Sequence, residues 1–148
     1  MKTPLENIYD VFYSIANIDL NNHPELDVIS TNNIVESYLQ SAFYDYEENL
    51  KTELTIGEET LEDNTVIKVI NEDIPRSHTK ILGRTIYKNY LERELNTSLA
   101  IANQFNKKSE LNVLGLQSKI VALRECLSRV TTELNRSYTR NVLSKIIN

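Results

Sequence analysis

The sequence predicts a mainly α-helical fold: a helical bundle built on a long antiparallel helical hairpin, with a small β-hairpin or extended arm in the middle. Three observations lead there. Apolar residues recur at helical spacing in four separate segments, which is the pattern of helices that each bury one face. Only residues 51–74 are rich in β-branched side chains, with turn chemistry between two short runs. Glycine and proline number three each in 148 residues, too few for linker or low-complexity sequence and about right for one domain, 1–148.

The first helix starts at Thr3 as cap, with Pro4 suited to the first helical position and Glu6 completing a Thr-x-x-Glu capping box. Leu5, Ile8, Phe12, Ile15 and Ala16 follow at helical spacing with Tyr9 beside them, and the polar run Asn17 to Pro24 ends the element. A second helix begins near Asn33, with Asn32 or Thr31 as alternative caps. Behind it Ile34, Val35, Tyr38, Leu39, Ala42, Phe43 and Tyr46 form an unbroken stripe of period 3.6. Glu53–Ile56 and Thr65–Ile70 read as strands, with Gly57 and Asp63-Asn64 supplying turns. An isolated two-stranded hairpin is marginal in water, so it needs support from helices or another chain.

Pro75 opens a long third helix, on which Leu82, Ile86, Tyr90, Leu91, Leu95, Leu99 and Ala102 keep the helical period to about Phe105. Gly83 within it reads as tolerated at roughly 1 kcal/mol relative to alanine. Asn106-Lys107-Lys108 is short enough to force an antiparallel partner, with Ser109 as its cap. On the last helix Val113, Leu116, Ile120, Leu123, Leu127, Val130 and Leu134 alternate steps of three and four, a heptad seam. Residues 75–140 thus form a helical hairpin with arms roughly 45 Å long at 1.5 Å per residue. Residues 141–148 follow as a short tail.

The net charge of −5 hides a division. Residues 1–75 carry three basic residues against sixteen acidic ones, a net −13; residues 76–148 carry thirteen against five, a net +8. Either the halves neutralise each other within one molecule, or opposite poles meet between copies or partners, where complementarity sets register and association rate. One cysteine excludes a disulfide framework and any multi-cysteine zinc site, and no apolar run approaches the ~20 residues of a membrane helix. The expectation is a soluble, intracellular protein without membrane contact.

Catalytic chemistry finds little to work with. His23 and His78 sit in no metal spacing, and His78 reads as an ordinary surface histidine. Cys126, next to the seam, reads as a half-buried structural thiol. There is no phosphate-binding loop, dinucleotide fingerprint or nucleophile elbow, hence no cofactor, no small-molecule substrate and no enzyme. Glu47-Glu48 and Glu58-Glu59 diverge on any regular element and read as solvated charge.

Two surface patterns remain. Arg76, Lys80, Arg84 and Lys88 step by four along one slowly winding stripe, with Glu92 continuing at opposite sign. Like charges at that spacing repel, so the row needs an anion: the acidic first half, a neighbouring subunit, or nucleic-acid phosphate. The tyrosines do not interleave the stripe as a stacking platform for bases would. In the tail, Val142, Leu143, Ile146 and Ile147 either cap this bundle or insert in a partner's groove.

An amphipathic helical pair, a β-like stretch, Asn71-Glu72-Asp73-Ile74-Pro75 leading into Ile81-Leu82-Gly83-Arg84 and Tyr90-Leu91-Glu92-Arg93-Glu94-Leu95, and a long closing helix with a short tail together resemble the head–tail connector (adaptor or head-completion) proteins of tailed bacteriophages. The likeness runs through most of the chain in outline, without a diagnostic motif. It implies a mainly helical, non-enzymatic virion protein made in the host cytoplasm. Copies would form a homo-oligomeric ring between portal and tail around a passage for DNA, with residues 51–74 and 141–148 docking on portal and neck proteins. The basic stripe would then face the next subunit or the channel. The strongly negative first half departs from that pattern. Two other classes fit the same residues: a small binding regulator or inhibitor with an acidic face, and a coiled-coil adaptor.

Overall fold

A computed structural model describes residues 2–26, 32–105 and 113–147, with side chains at 2–26, 35–104 and 115–143. The order of elements is β1 (Thr3–Pro4), α1 (Leu5–Asn22), a single 3₁₀ turn (Pro24–Leu26), α2 (Asn32–Leu50), β2 (Ile56–Thr60), β3 (Val66–Ile70), α3 (Arg76–Phe105) and α4 (Val113–Ile147). The chain is mainly helical with one small antiparallel sheet, as the periodicities predict. At 1.5 Å per residue, α3 is about 45 Å long and α4 about 52 Å.

The first helix does not start as expected. Thr3 makes no side-chain cap; Pro4 stands at the N-cap in extended geometry, and Thr3 and Pro4 pair with Ile70 and Val69 of β3. Backbone pairing to the sheet has displaced the capping box. The helix also runs through most of the polar segment to Asn22, because Asp19 falls on the buried face with Ile8, Phe12 and Ala16. Its end is closed by the His23 amide donating to the Asp19 carbonyl at 2.7 Å.

The sheet has the order β1-β3-β2. Relative to the expected strand Glu53–Ile56, β2 lies further along at Ile56–Thr60, in register from Ile56↔Ile70 to Thr60↔Val66. Gly57 is therefore a strand residue and not a turn. Its missing side chain leaves room for Asn71, whose Oδ1 would lie 2.1 Å from a β-carbon there. Asp63-Asn64 does make the turn: Asn64 has φ 66°, and the Thr65 amide donates to the Asp63 carboxylate at 3.1 Å. Glu72 locks the root, accepting from the Thr55 amide at 2.8 Å and the Thr55 hydroxyl at 2.7 Å. Support comes from β1 and from Val69 and Ile70, which are buried at the inner end.

α3 is the central helix. The single stripe read from its sequence is too narrow: Ile81, Leu82, Thr85, Ile86, Tyr87, Tyr90 and Leu91 are all buried, because α1, α2 and α4 pack around it. A helix apolar on most sides belongs inside. Gly83 is required there and not merely tolerated. A β-carbon at Gly83 would lie 2.5 Å from Val11 Cγ1 and 3.0 Å from the Ile8 carbonyl oxygen, so α1 crosses α3 at van der Waals contact with its backbone. Phe12 fills the next position, set edge-on to Tyr87 and Tyr90 with centroids 5.9 and 6.0 Å away.

On α4, Ile120, Leu123, Val130 and Leu134 are buried as the seam predicts, whereas Leu116 and Leu127 are only half-buried. Ala122 and Cys126, outside the seam, are buried as well. The contact face is thus wider than a coiled-coil seam, since α4 packs on α3 and also meets the 3₁₀ turn and α2. The side chain of Val113 lies outside the described residues, as does the link 106–112 with its Ser109 cap. Among the described residues there is no separate tail: α4 continues through Asn141 to Ile147.

Candidate interaction surfaces

Two interior polar clusters tie the helices together. Asp19 is fully buried, accepts from the Tyr87 hydroxyl at 2.6 Å and is bonded by the Arg129 guanidinium, so one carboxylate joins α1, α3 and α4. Burial, then the hydrogen bond and charge of Asp19, push the Tyr87 hydroxyl well above its ordinary range. The same causes, burial first, raise the Cys126 thiol to about 12. A thiol held protonated at neutral pH is a packing group and not a thiolate nucleophile.

His78 is not the surface histidine expected. Its Nδ1 lies 2.7 Å from the Tyr46 hydroxyl and its Nε2 2.8 Å from Asn141 Oδ1, while Asn141 Nδ2 donates to the Ser137 carbonyl. With Nε2–H donating to Asn141, Nδ1 is free to accept from Tyr46, and α2, α3 and α4 are tied together at one end. Burial is the main reason that the Tyr46 hydroxyl is raised to about 12. Among the described residues no group of three or more His, Cys, Asp or Glu side chains could hold a metal ion, and no helix is long and apolar enough to cross a membrane.

The basic stripe divides. Steps of four on a helix of 3.6 residues per turn precess by about 40° each, so four residues wind a third of the way round. Arg76, Lys80 and Arg84 line a groove of about 660 Å³ between the start of α3 and α1. Lys88 turns away and lies 3.9 Å from Glu92. The anion beside Arg84 comes from the second half of the chain: Glu133 of α4 lies 3.7 Å away, and Ser137 accepts from Arg84 at 3.4 Å. The acidic first half supplies Asp19 to Arg129 but no ion pair to Arg76, Lys80 or Lys88 among the described residues.

Two further surfaces are exposed. In the hairpin, residues 58–66 are open to solvent, as is Ile56; only Gly57 and Ile67 are partly covered before the buried Val69 and Ile70. At the end of α4, Val142 and Leu143 are exposed and do not cap the bundle; the side chains of Ile146 and Ile147 lie outside the described residues.

Sequence reasoning missed the α1 wall of the groove, formed by Asn7, Asp10, Val11, Ser14 and Ile15. Nothing local marks it, because the groove exists only where two helices cross. It also missed Asp19, although spacing held a signal: position 19 continues the buried series 8, 12, 16, and a carboxylate there demands a cationic partner. Comparison with protein-family models, curated proteins and solved structures gave no match for this chain.

Proposed function

We propose that this chain is a non-enzymatic assembly subunit, specifically a component of a phage virion neck that forms a ring joining portal to tail and leaves a passage for DNA. The arm is the observation that carries this reading. A hairpin open to solvent over residues 58–66 gains little from its own domain, since strands are stabilised by packing a face. β2 is moreover the edge of the sheet order β1-β3-β2, so one row of its peptide groups has no strand partner among the described residues. Free edges invite strand addition unless a partner covers them. The exposed Val142 and Leu143 on α4 give a second surface that burial against another subunit would stabilise. The interior, by contrast, commits Asp19, Tyr87 and Arg129 to holding helices together, and His78, Tyr46 and Asn141 likewise.

The test is sedimentation with a portal ring purified from the phage whose genome encodes this chain. Co-migration with the portal in a density gradient is expected, and its loss when Val142 and Leu143 are changed to Asp. A chain that stays at the top of the gradient at every concentration contradicts the proposal.

A further inference from the structure

We infer that copies of this chain join head to tail, with the acidic hairpin tip of one copy seated in the basic groove between α1 and α3 of the next. This deepens the neck-ring reading and rests on its premise that the chain self-associates.

The groove has the chemistry for such an occupant. One wall presents Arg76, Lys80 and Arg84; Val11, Ile15 and Ile74 supply apolar surface, and Asp10 is the one carboxylate among its lining residues. Arg76 and Lys80 have no ion-pair partner among the described residues. Arg84 is the exception, with the Glu133 carboxylate of α4 3.7 Å from its Nε. A row of like charges at four-residue spacing repels itself, and an anion in the groove relieves that repulsion.

The tip matches on every count. Residues 56–66 carry Glu58, Glu59, Glu62 and Asp63 and no cation. In their midst Leu61 is 41% exposed, an apolar side chain between acidic neighbours, like the groove with its signs reversed. The tip is also preformed. The Leu61 amide donates to the Thr65 carbonyl at 2.8 Å and the Asn64 amide to the Leu61 carbonyl at 3.0 Å, so docking orders little new backbone.

The tip does not serve its own groove. No residue of 56–66 lines it, and four strand steps of about 3.4 Å carry Val66 about 14 Å from the anchored Ile70. An arm on one side of a molecule and its receptor on another make a heterologous contact, which closes into a ring if the rotation between copies permits. The division of charge between the halves, −13 and +8, then acts between molecules.

The experiment is sedimentation velocity on four full-length chains at low and high salt: wild type, Arg76→Glu/Lys80→Glu, Glu59→Lys/Glu62→Lys, and all four changes together. Glu58 is spared because it faces Lys68 across the strands, and Asp63 because it holds the turn. All four positions are exposed, and circular dichroism checks that each variant keeps its helices. Wild type should associate at low salt and dissociate at high salt. Each double variant should sediment as a 17.1 kDa monomer, and the fourfold chain, its charges exchanged, should associate again. Association that ignores both reversals, or a fourfold chain that stays monomeric, overturns this inference and leaves self-assembly standing. A wild type that never associates overturns the ring reading itself. If the groove variant loses affinity for duplex DNA while its assembly is unchanged, the groove belongs to phosphate and the inference fails.

Discussion

The Tyr87 hydroxyl donates to Asp19 at 2.6 Å across a distance of 68 residues in sequence, joining the middle of α3 to the last turn of α1. Asp19 has no exposed surface, and its charge is balanced by Arg129, itself 45% exposed. A buried carboxylate is tolerable only while such partners hold it.

Removing either partner should therefore cost more than an ordinary surface change. Tyr87→Phe leaves one bond of a buried carboxylate unmade and should destabilise by about 1–3 kcal/mol. Arg129→Met strands the charge. About 2–4 kcal/mol is expected, toward the low end for a broken buried pair, because the arginine is partly in water. Urea midpoints measure both; a change within about 0.5 kcal/mol at Arg129 would contradict the pairing.

Two glycines give opposite signs for one substitution. Helix propensity alone favours alanine over glycine by roughly 1 kcal/mol. At Gly115 no atom of the described residues lies within 4 Å of an added β-carbon, so Gly115→Ala should raise stability by about 0.5–1 kcal/mol. At Gly83 the added carbon meets Val11 at 2.5 Å, and Gly83→Ala should lower it by about 1–3 kcal/mol. Thermal unfolding distinguishes them. A stabilised Gly83→Ala would mean that α1 and α3 do not cross closely.

Alkaline pH should unfold the protein through its buried acids. Burial raises Cys126 and Tyr46 to about 12 from ordinary values of 9.0 and 10.0, and raises Tyr87 further. The unfolded chain releases these protons first, so at high pH it holds fewer protons than the native state and stability falls as pH rises. The stabilisation is complete below pH ~9 and lost progressively to pH ~12, with the sign set by raised folded values. Melting temperature against pH reads it, and a flat profile from pH 8 to 11 would contradict the burial.

The wide contact face of α4 separates a bundle from a coiled coil. Leu123→Ala, at a fully packed site, should cost about 2–5 kcal/mol, and Leu127→Ala, half-buried, clearly less. Equal losses, with a dimer disrupted by both, would restore the narrow seam.

Helix positions were legible because each amphipathic stripe reflects one buried face. The stripe of α2 at Val35, Leu39, Ala42, Phe43 and Tyr46 is buried throughout. Where several faces are buried the stripe dissolves, which is why Tyr87 and Thr85 on α3 and Cys126 on α4 were not placed in the core by period alone. The capping box at Thr3 failed because long-range pairing with Ile70 outweighs a local cap, and β2 lies where its pairing with β3 puts it, from Ile56↔Ile70 to Thr60↔Val66. His78 looked solvated in sequence because Tyr46 and Asn141 are 32 and 63 residues away. Half of the candidate site was visible as the step of four from Arg76 to Arg84. The α1 wall was not, since a groove between crossing helices has no local signature.

The most direct measurement is the mass of the full-length wild-type chain in dilute, low-salt buffer by mass photometry or native mass spectrometry. A discrete species at a fixed whole-number multiple of 17.1 kDa is expected, with one stoichiometry over a range of concentrations. A lone 17.1 kDa particle under all conditions, portal present or absent, would contradict assembly as what these surfaces are for.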